Sequence, residues 1–373
     1  MRAYDLAVIG GGVHGASAAL FAARAGLKVV LIERGALCRE ASGVNAGTLT
    51  IQVTRLALLP HAIGGHQMWA TARDWLGHDV GVVVTDGLQL AFSKAEAALL
   101  EERTARRREA GAPLRLVTAK EARAIEPGLS ESVLLASHSA TDGFAAPYLA
   151  GRAFRRALIE TGVAVFEGVY AEGIDRQGAA YAIRLSELSG ERVIAATRLV
   201  LAGGAWIEEM LGWLGLAVPI AVKINQVAVT ERLRPVMRSQ IGIASGLLSL
   251  RQYPNGTVVI GGGWQGRGDR QKGAHEIEPA NLIGNVRLAC HAIPALRSGR
   301  IVRSWAGIEG KTADELPIIG RLPGHENAWA VGGLHSGFTC GPYVGRELAR
   351  LITGAESNMP LFPPDRLVAR AVR

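Results

Sequence analysis

Apolar and polar positions along the first 33 residues follow a strand, turn, helix, strand rhythm. Residues 6–9 form a short apolar run of the kind a buried parallel strand shows, and it breaks at the glycines of 10–15. Residues 16–25 are rich in helix formers and are followed by Gly26, which suits a helix C-terminus. Residues 27–32 are a second, β-branched run ending at Glu33. The pattern predicts a βαβ unit. Downstream, 80–92 reads as strands with a turn at Asp86-Gly87, 95–110 and 151–161 as helices, and 163–166 as a strand. Short buried strands are expected at 198–202, 257–260 and 327–331, each stopped by glycines. The stretch 220–260 reads as antiparallel strands, and a closing helix is expected at 341–353. The predicted class is α/β: a Rossmann-type nucleotide-binding domain built from 1–80, 145–218 and 300–373. An antiparallel-sheet substrate domain, 81–144 plus 219–299, is discontinuous with it.

Composition narrows this picture. With 49% hydrophobic and 20% charged residues, a sizeable core is available and general disorder is excluded. The three cysteines, Cys38, Cys290 and Cys340, exclude a disulfide scaffold, and the nine histidines show no metal spacing, so no metal is expected. The net charge of +8 is dispersed. Its densest run, 103–108, is flanked by Glu101, Glu102 and Glu109 and reads as a solvated helix face, so no nucleic-acid partner is expected. The opening apolar run is too short for a signal-peptide core. The longest one elsewhere, 210–222, contains Pro219 and falls short of a span of about twenty residues. A cytoplasmic protein without a transmembrane segment is expected.

The strongest chemical signal is Gly10-x-Gly12-x-x-Gly15 with Glu33 behind it. Gly10 permits a tight turn, Gly12 lets a pyrophosphate approach the backbone, and Gly15 lets helix pack on strand. The helix N-terminus offers N–H groups and the positive end of a dipole to phosphates. Glu33 is placed to hydrogen-bond a ribose and to repel a 2′-phosphate. FAD and NAD both satisfy this fingerprint. The following Ser42-Gly43-Val44-Asn45-Ala46-Gly47 is small and polar, suited to wrapping a cofactor with backbone donors.

Four stretches carry a more specific resemblance: 8–33; 42–47; 199–206 (LVLAGGAW); and 305–339. The last contains Trp305-x-Gly307, Thr312-x-Asp314-x-x-Pro317-Ile318-Ile319-Gly320 and Gly333-x-His335-Ser336-Gly337-Phe338-Thr339. Together they resemble the D-amino-acid oxidase-like family of FAD-dependent oxidoreductases, which includes glycine and sarcosine oxidases. The resemblance implies non-covalent FAD, its ADP half on Gly10, Gly12, Val13, His14, Gly15, Glu33 and Arg34. It places Ser42, Asn45, Ala46 and Gly47 along the pyrophosphate and flavin, with Ala171, Gly203 and Trp206 beside the dinucleotide. It brings Gly307 and residues His335, Ser336, Gly337, Phe338 and Thr339 to the flavin, just ahead of a helix from Gly341 onward. His14 is expected to point to solvent or the cofactor edge, and Trp206 and Trp264 to be packing residues.

One departure matters. Family members acting on small free amino acids have Arg-Pro just after Trp-x-Gly, where the arginine clamps the substrate carboxylate; here the positions read Ile308-Glu309. Glu309 either faces a cationic substrate group or is an exposed loop acid. Arg55, Lys223 and Arg251 are candidate replacements for the clamp, and His335 is a further candidate to face substrate or flavin. Residues 42–50, 224–226 and 248–264 are most similar to β subunits of heteromeric dehydrogenases and oxidases of opines, hydroxyproline, proline or sarcosine. The resemblance therefore implies FAD-dependent oxidation of a secondary amine, by hydride transfer to the flavin, in a complex whose other subunits carry a second redox centre, flavin or iron–sulfur. Three alternatives stay open: a flavin enzyme oxidising a 2-hydroxy acid, one modifying tRNA, or a non-catalytic FAD-bearing electron-transfer subunit.

Overall fold

The computed structural model describes residues 3–187, 190–271 and 274–368; positions 1–2 and 369–373, assigned above to the nucleotide-binding stretches, lie outside the described residues. Apolar side chains at every position of 6–9 leave the chain no solvated face, and Leu6, Ala7 and Val8 are fully buried. The strand Ala3–Ile9 accordingly sits mid-sheet, parallel to Gly190–Leu201 on one side and Val29–Glu33 on the other. Ala164–Glu167 extends the sheet beyond Val29–Glu33, and Ala328–Gly332 pairs with Gly190–Leu201, both in parallel. The fold is α/β, with this sheet at the centre of a doubly wound nucleotide-binding arrangement.

The first helix, Val13–Arg24, starts earlier than its composition indicates, because Gly12 already serves as the N-cap and Val13 and His14 continue helically from it. The last helix is Gly337–Ile352, not 341–353. Glycines lower the intrinsic helix propensity of its first turns, but packing overrides propensity here. Gly341 and Gly345 lie so close to Val13 and Ser17 of the first helix that a Cβ at either would force them apart.

The second sheet is mostly antiparallel. Its order is Ile301–Lys311, Ala221–Arg232, Thr257–Gly261, Ser249–Gln252, Gln240–Ile243, Gly87–Ala91, Leu135–Ser139, Leu114–Thr118. Two features correct the sequence reading. Gln240–Ile243 runs parallel to Gly87–Ala91, so 220–260 is not antiparallel throughout. The strand Ile301–Lys311, grouped above with the nucleotide-binding stretches, instead pairs along Ala221–Arg232. Among the described residues no helix is long and apolar enough to cross a membrane, and no group of three or more His, Cys, Asp or Glu is placed to hold a metal.

Candidate functional site

A cavity of about 690 Å³ opens at the C-terminal ends of Ala3–Ile9, Val29–Glu33 and Gly190–Leu201, and residues of the second sheet form its other wall. In open α/β sheets this end of the strands is where ligands bind. The three glycines of the opening turn contribute differently. Gly10 has φ +108, which favours glycine, and a Cβ there would strike the Ala202 carbonyl. A Cβ at Gly15 would strike the Gly10 carbonyl, so Gly15 shapes the turn without lining the cavity. Gly12 has an ordinary φ of −67, and its Cβ would meet only Ser42 Oγ, at 3.2 Å. The space above it is open to the cavity, and the N-cap glycine has no side chain to cap the helix that begins there.

Around this turn the polar groups are held in place. Glu33 accepts hydrogen bonds from the Gly11 N–H (2.7 Å) and the Gly35 N–H (2.8 Å), which fixes its carboxylate at the cavity edge. The Arg34 guanidinium stacks on the Trp206 ring, 3.6 Å from its centroid, so Trp206 is more than core packing. Ala171 and Gly203 line the same end. The Val13 N–H donates to Ser42 Oγ (3.0 Å), so Val13 acts from behind the wall. Asn45 braces its loop by donating to the Ala41 and Ser42 carbonyls (both 2.9 Å) and accepting from the Gly47 N–H (2.7 Å). Ser42, Asn45 and Ala46 thus line the cavity, while Gly47, at φ +76, supports them. A helix N-terminus whose cap residue is glycine and whose Val13 N–H alone is met, by Ser42 Oγ, a glycine cradle and an oriented carboxylate are groups that suit an adenine dinucleotide, so the residues present fit FAD.

At the far side of the loop, Glu309 is a strand residue on the cavity wall rather than an exposed loop acid. Its Oε1 bonds His335 Nδ1 at 2.9 Å and its Oε2 accepts from Asn225 Nδ2 at 2.7 Å. Asn225 Oδ1 in turn accepts from Gln265 Nε2 at 2.8 Å. Lys223 faces Glu309 in strand register. Burial works to raise the Glu309 pKa. His335, Asn225 and the Lys223 charge outweigh it and hold the carboxyl below the usual range. Glu309 is therefore an anion at neutral pH.

Ser336 adopts a left-handed φ of +59 and caps the last helix, so Gly337, Phe338 and Thr339 form its first turn rather than a loop before it. Phe338 stacks on Trp69, with centroids 4.7 Å apart, and its carbonyl accepts from Trp69 Nε1 (2.7 Å). Thr339 Oγ1 donates to the Thr48 carbonyl (3.0 Å). Of the two placements expected for His14, solvent or the cofactor edge, the structure has the second: His14 lines the cavity. Its Nε2 is buried with no partner, the ring lies against Gly337, and burial lowers its pKa to about 4.

The candidate clamps separate. Arg55 lines the cavity, but it pairs with Glu315 at 2.7 Å, and Glu315 is also paired with Lys311. Arg251 is fully buried off the cavity wall, donating to the Ala46 carbonyl and to Ser249 Oγ, and supports the cofactor loop from beneath. The sequence reading missed Arg103 and Arg107. Positions 100, 103, 104 and 107 of the helix Lys94–Glu109 line the cavity, so the charged run is only partly a solvated face. Their i, i+3, i+4, i+7 spacing is the signal that marks one helix face.

The family model described as FAD dependent oxidoreductase matches residues 5–351. The chain is 27% identical over 370 residues to glycine oxidase of Geobacillus kaustophilus, covering 96% of both chains. It is 27% identical over 356 residues to an opine oxidase subunit from Rhizobium meliloti, covering 91% of this chain and 90% of that one. The solved structure of L-proline dehydrogenase from P. horikoshii superposes with a TM-score of 0.88 at 24% identity over 98% of both chains, a likeness of fold. With the dinucleotide cradle in place and the family model spanning nearly the whole chain, this protein belongs to the FAD-dependent oxidoreductase family and uses FAD as its cofactor.

Proposed function

We propose that this chain oxidises a secondary amine, an N-substituted amino acid of the imino-acid or opine type, as the catalytic β-type subunit of a heteromeric dehydrogenase or oxidase in the cytoplasm. The observation that carries the reading is Glu309, an anion held on the cavity wall next to Gly307. An anion there attracts a cationic amine and gives a hydroxy acid nothing, which favours amine over 2-hydroxy-acid oxidation. The amine oxidases and dehydrogenases among the similar proteins support it, and the relative from Rhizobium meliloti, itself one subunit of an opine oxidase, supports a multi-subunit assembly, in which the proposed partners carry a second flavin or an iron–sulfur centre.

In this reading the first sheet and its helices form the FAD-binding domain and the second sheet the substrate domain. When bound, FAD supplies the acceptor for the two electrons and the hydrogen lost from the carbon beside the amine nitrogen. Glu309 holds the incoming ammonium, whose nitrogen must give up a proton before hydride can leave the neighbouring carbon; His335, bonded to Glu309 through Nδ1 and half exposed at 52%, takes that proton on its other ring nitrogen and passes it to solvent. The first turn of the helix Gly337–Ile352 sets its positive end against the cavity, where it favours negative charge. Non-covalent FAD fits this reading: among the described cysteines only Cys38 lines the cavity, and it is buried there with its thiol pKa raised. Steady-state turnover with an artificial electron acceptor tests the reading. Proline and N-methylglycine are expected to outrun 2-hydroxy acids. Glu309→Gln is expected to lower kcat/KM for the amines by about 30-fold, the loss of one charged hydrogen bond of about 2 kcal/mol. Equal rates for amine and hydroxy acid, or a Glu309→Gln enzyme as active as wild type, would contradict it.

A further inference from the structure

The cavity continues well past Glu309. Across the second sheet Ser137, Gln89, Gly242, Ser249 and Gly261 are successive partners in register on neighbouring strands. Cross-strand partners present their side chains to one face, and Ser137, Gln89 and Ser249 line the cavity. Ser249 marks the cofactor end, where its Oγ bonds Thr48 Oγ1 at 2.8 Å. Ser137 lies three strand spacings away, about 14 Å at roughly 4.8 Å each. Gly242 keeps this floor low, since a Cβ there would collide with the Gln89 amide. A trough of this length, polar along Ser137, Gln89 and Ser249 and apolar at Leu100, Leu114 and Ile243, exceeds what N-methylglycine or proline fills.

Two cations stand at its distal end, where the helix Lys94–Glu109 packs on Gly87–Ala91 and Leu135–Ser139. Arg103 Nη1 donates to the Ala244 carbonyl (2.7 Å) and Arg107 Nη2 to the Thr54 carbonyl (2.8 Å), which ties both guanidiniums to the cavity rim. Among the described residues neither has a carboxylate within ion-pair distance, whereas the neighbouring Arg106 pairs with Glu102. Arg107 Nε is buried without a partner, and so are Oε1 of Gln52 and Oε1 of Gln240. Those two glutamines line the cavity and are only 6% and 1% exposed. Buried polar groups are normally paired, so this end of the trough lacks an acceptor for Arg107 Nε and donors for the two glutamine oxygens, while Arg103, exposed to solvent, adds a second positive charge at the rim. Burial, with Arg103 and Arg106 close by, holds the Arg107 pKa below its usual range, a strain that an anion would relieve.

We propose that the trough is a subsite for a second, acidic arm of the substrate. The amine nitrogen stays beside Glu309, a distal carboxylate sits on Arg103 and Arg107, and donors of the same arm meet Gln52 and Gln240. The substrate class is then a secondary amine whose nitrogen joins two acid-bearing chains, one of them several bonds long. This rests on the amine-oxidation reading above.

The test uses the full-length FAD-loaded protein and two probes that differ only in the distal carboxylate: Nε-(carboxymethyl)lysine and N-(5-aminopentyl)glycine. Anaerobic flavin reduction by wild type is expected to favour the first in kcat/KM by about 30- to 100-fold, the scale of paired charge-assisted hydrogen bonds. Arg103→Met and Arg107→Met are expected to collapse that ratio toward one, mainly through KM. The wild-type ratio stands as a test even if a variant folds poorly. If both probes reduce the flavin with equal efficiency in wild type, the subsite is overturned while amine oxidation stands. If neither probe, nor proline, nor N-methylglycine reduces it, the amine reading itself fails and takes the subsite with it.

Discussion

At the scale of single residues, the three glycines of the opening turn are not interchangeable, although one motif specifies all of them. Gly10 and Gly15 are fixed by their own backbone surroundings, so Gly10→Ala and Gly15→Ala are expected to give misfolded protein. Gly12 meets only Ser42 Oγ and has an ordinary φ, so Gly12→Val is expected to fold and to lose FAD. Far-ultraviolet circular dichroism together with the flavin-to-protein absorbance ratio checks both. A folded, fully yellow Gly12→Val would contradict the placement of the dinucleotide. These positions were legible in the sequence because turn, helix start and strand end lie within 33 residues, although the Ala202 carbonyl that closes on Gly10 is remote in sequence. Glu309 and Arg251 were not. Whether an acid lies on a cavity wall or in a loop, or an arginine faces substrate or props up Ala46, depends on strands remote in sequence.

At the scale of elements, hydrophobic runs located the parallel strands of the first sheet, since a strand buried on both faces is apolar at every position, but not its antiparallel strands Tyr170–Gln177, Ala180–Glu187 and Ile318–Arg321. The runs also failed where packing decided the outcome. The last helix begins at Gly337 because its glycines let it close on the first helix, a gain that composition does not display. Ile301–Lys311 joins the second sheet because Ala221–Arg232 offers it an edge, and no local pattern announces that pairing. The contact between the first and last helices carries its own pH dependence. His14 is wedged there, and burial holds its pKa near 4 against an ordinary value of 6.5. The unfolded chain takes up a proton below about 6.5 that the native ring refuses until about 4, so stability is lost as pH falls through that window. The full effect is about 3 kcal/mol at the acid end. Replacing His14 with Leu is expected to shrink the drop in Tm between pH 7 and pH 5; an unchanged drop would show that the ring is not buried neutral.

At the scale of the whole molecule, the two sheets divide the work. The first presents its strand ends, glycine turn and Glu33 to a dinucleotide; the second supplies Lys223, Asn225, Glu309 and the trough that runs toward Arg103 and Arg107. The net charge of +8 says little about partners once two of its cations are seen to line the cavity along one helix. The central claim is that FAD lies in this cavity with an amine substrate beside Glu309. Anaerobic titration of the purified yellow protein with proline and N-methylglycine, followed by flavin absorbance, tests it most directly. Bleaching in a single turnover, with recovery when an electron acceptor is added, is the expected result. A flavin that dithionite reduces but that stays oxidised with every secondary amine would contradict the account.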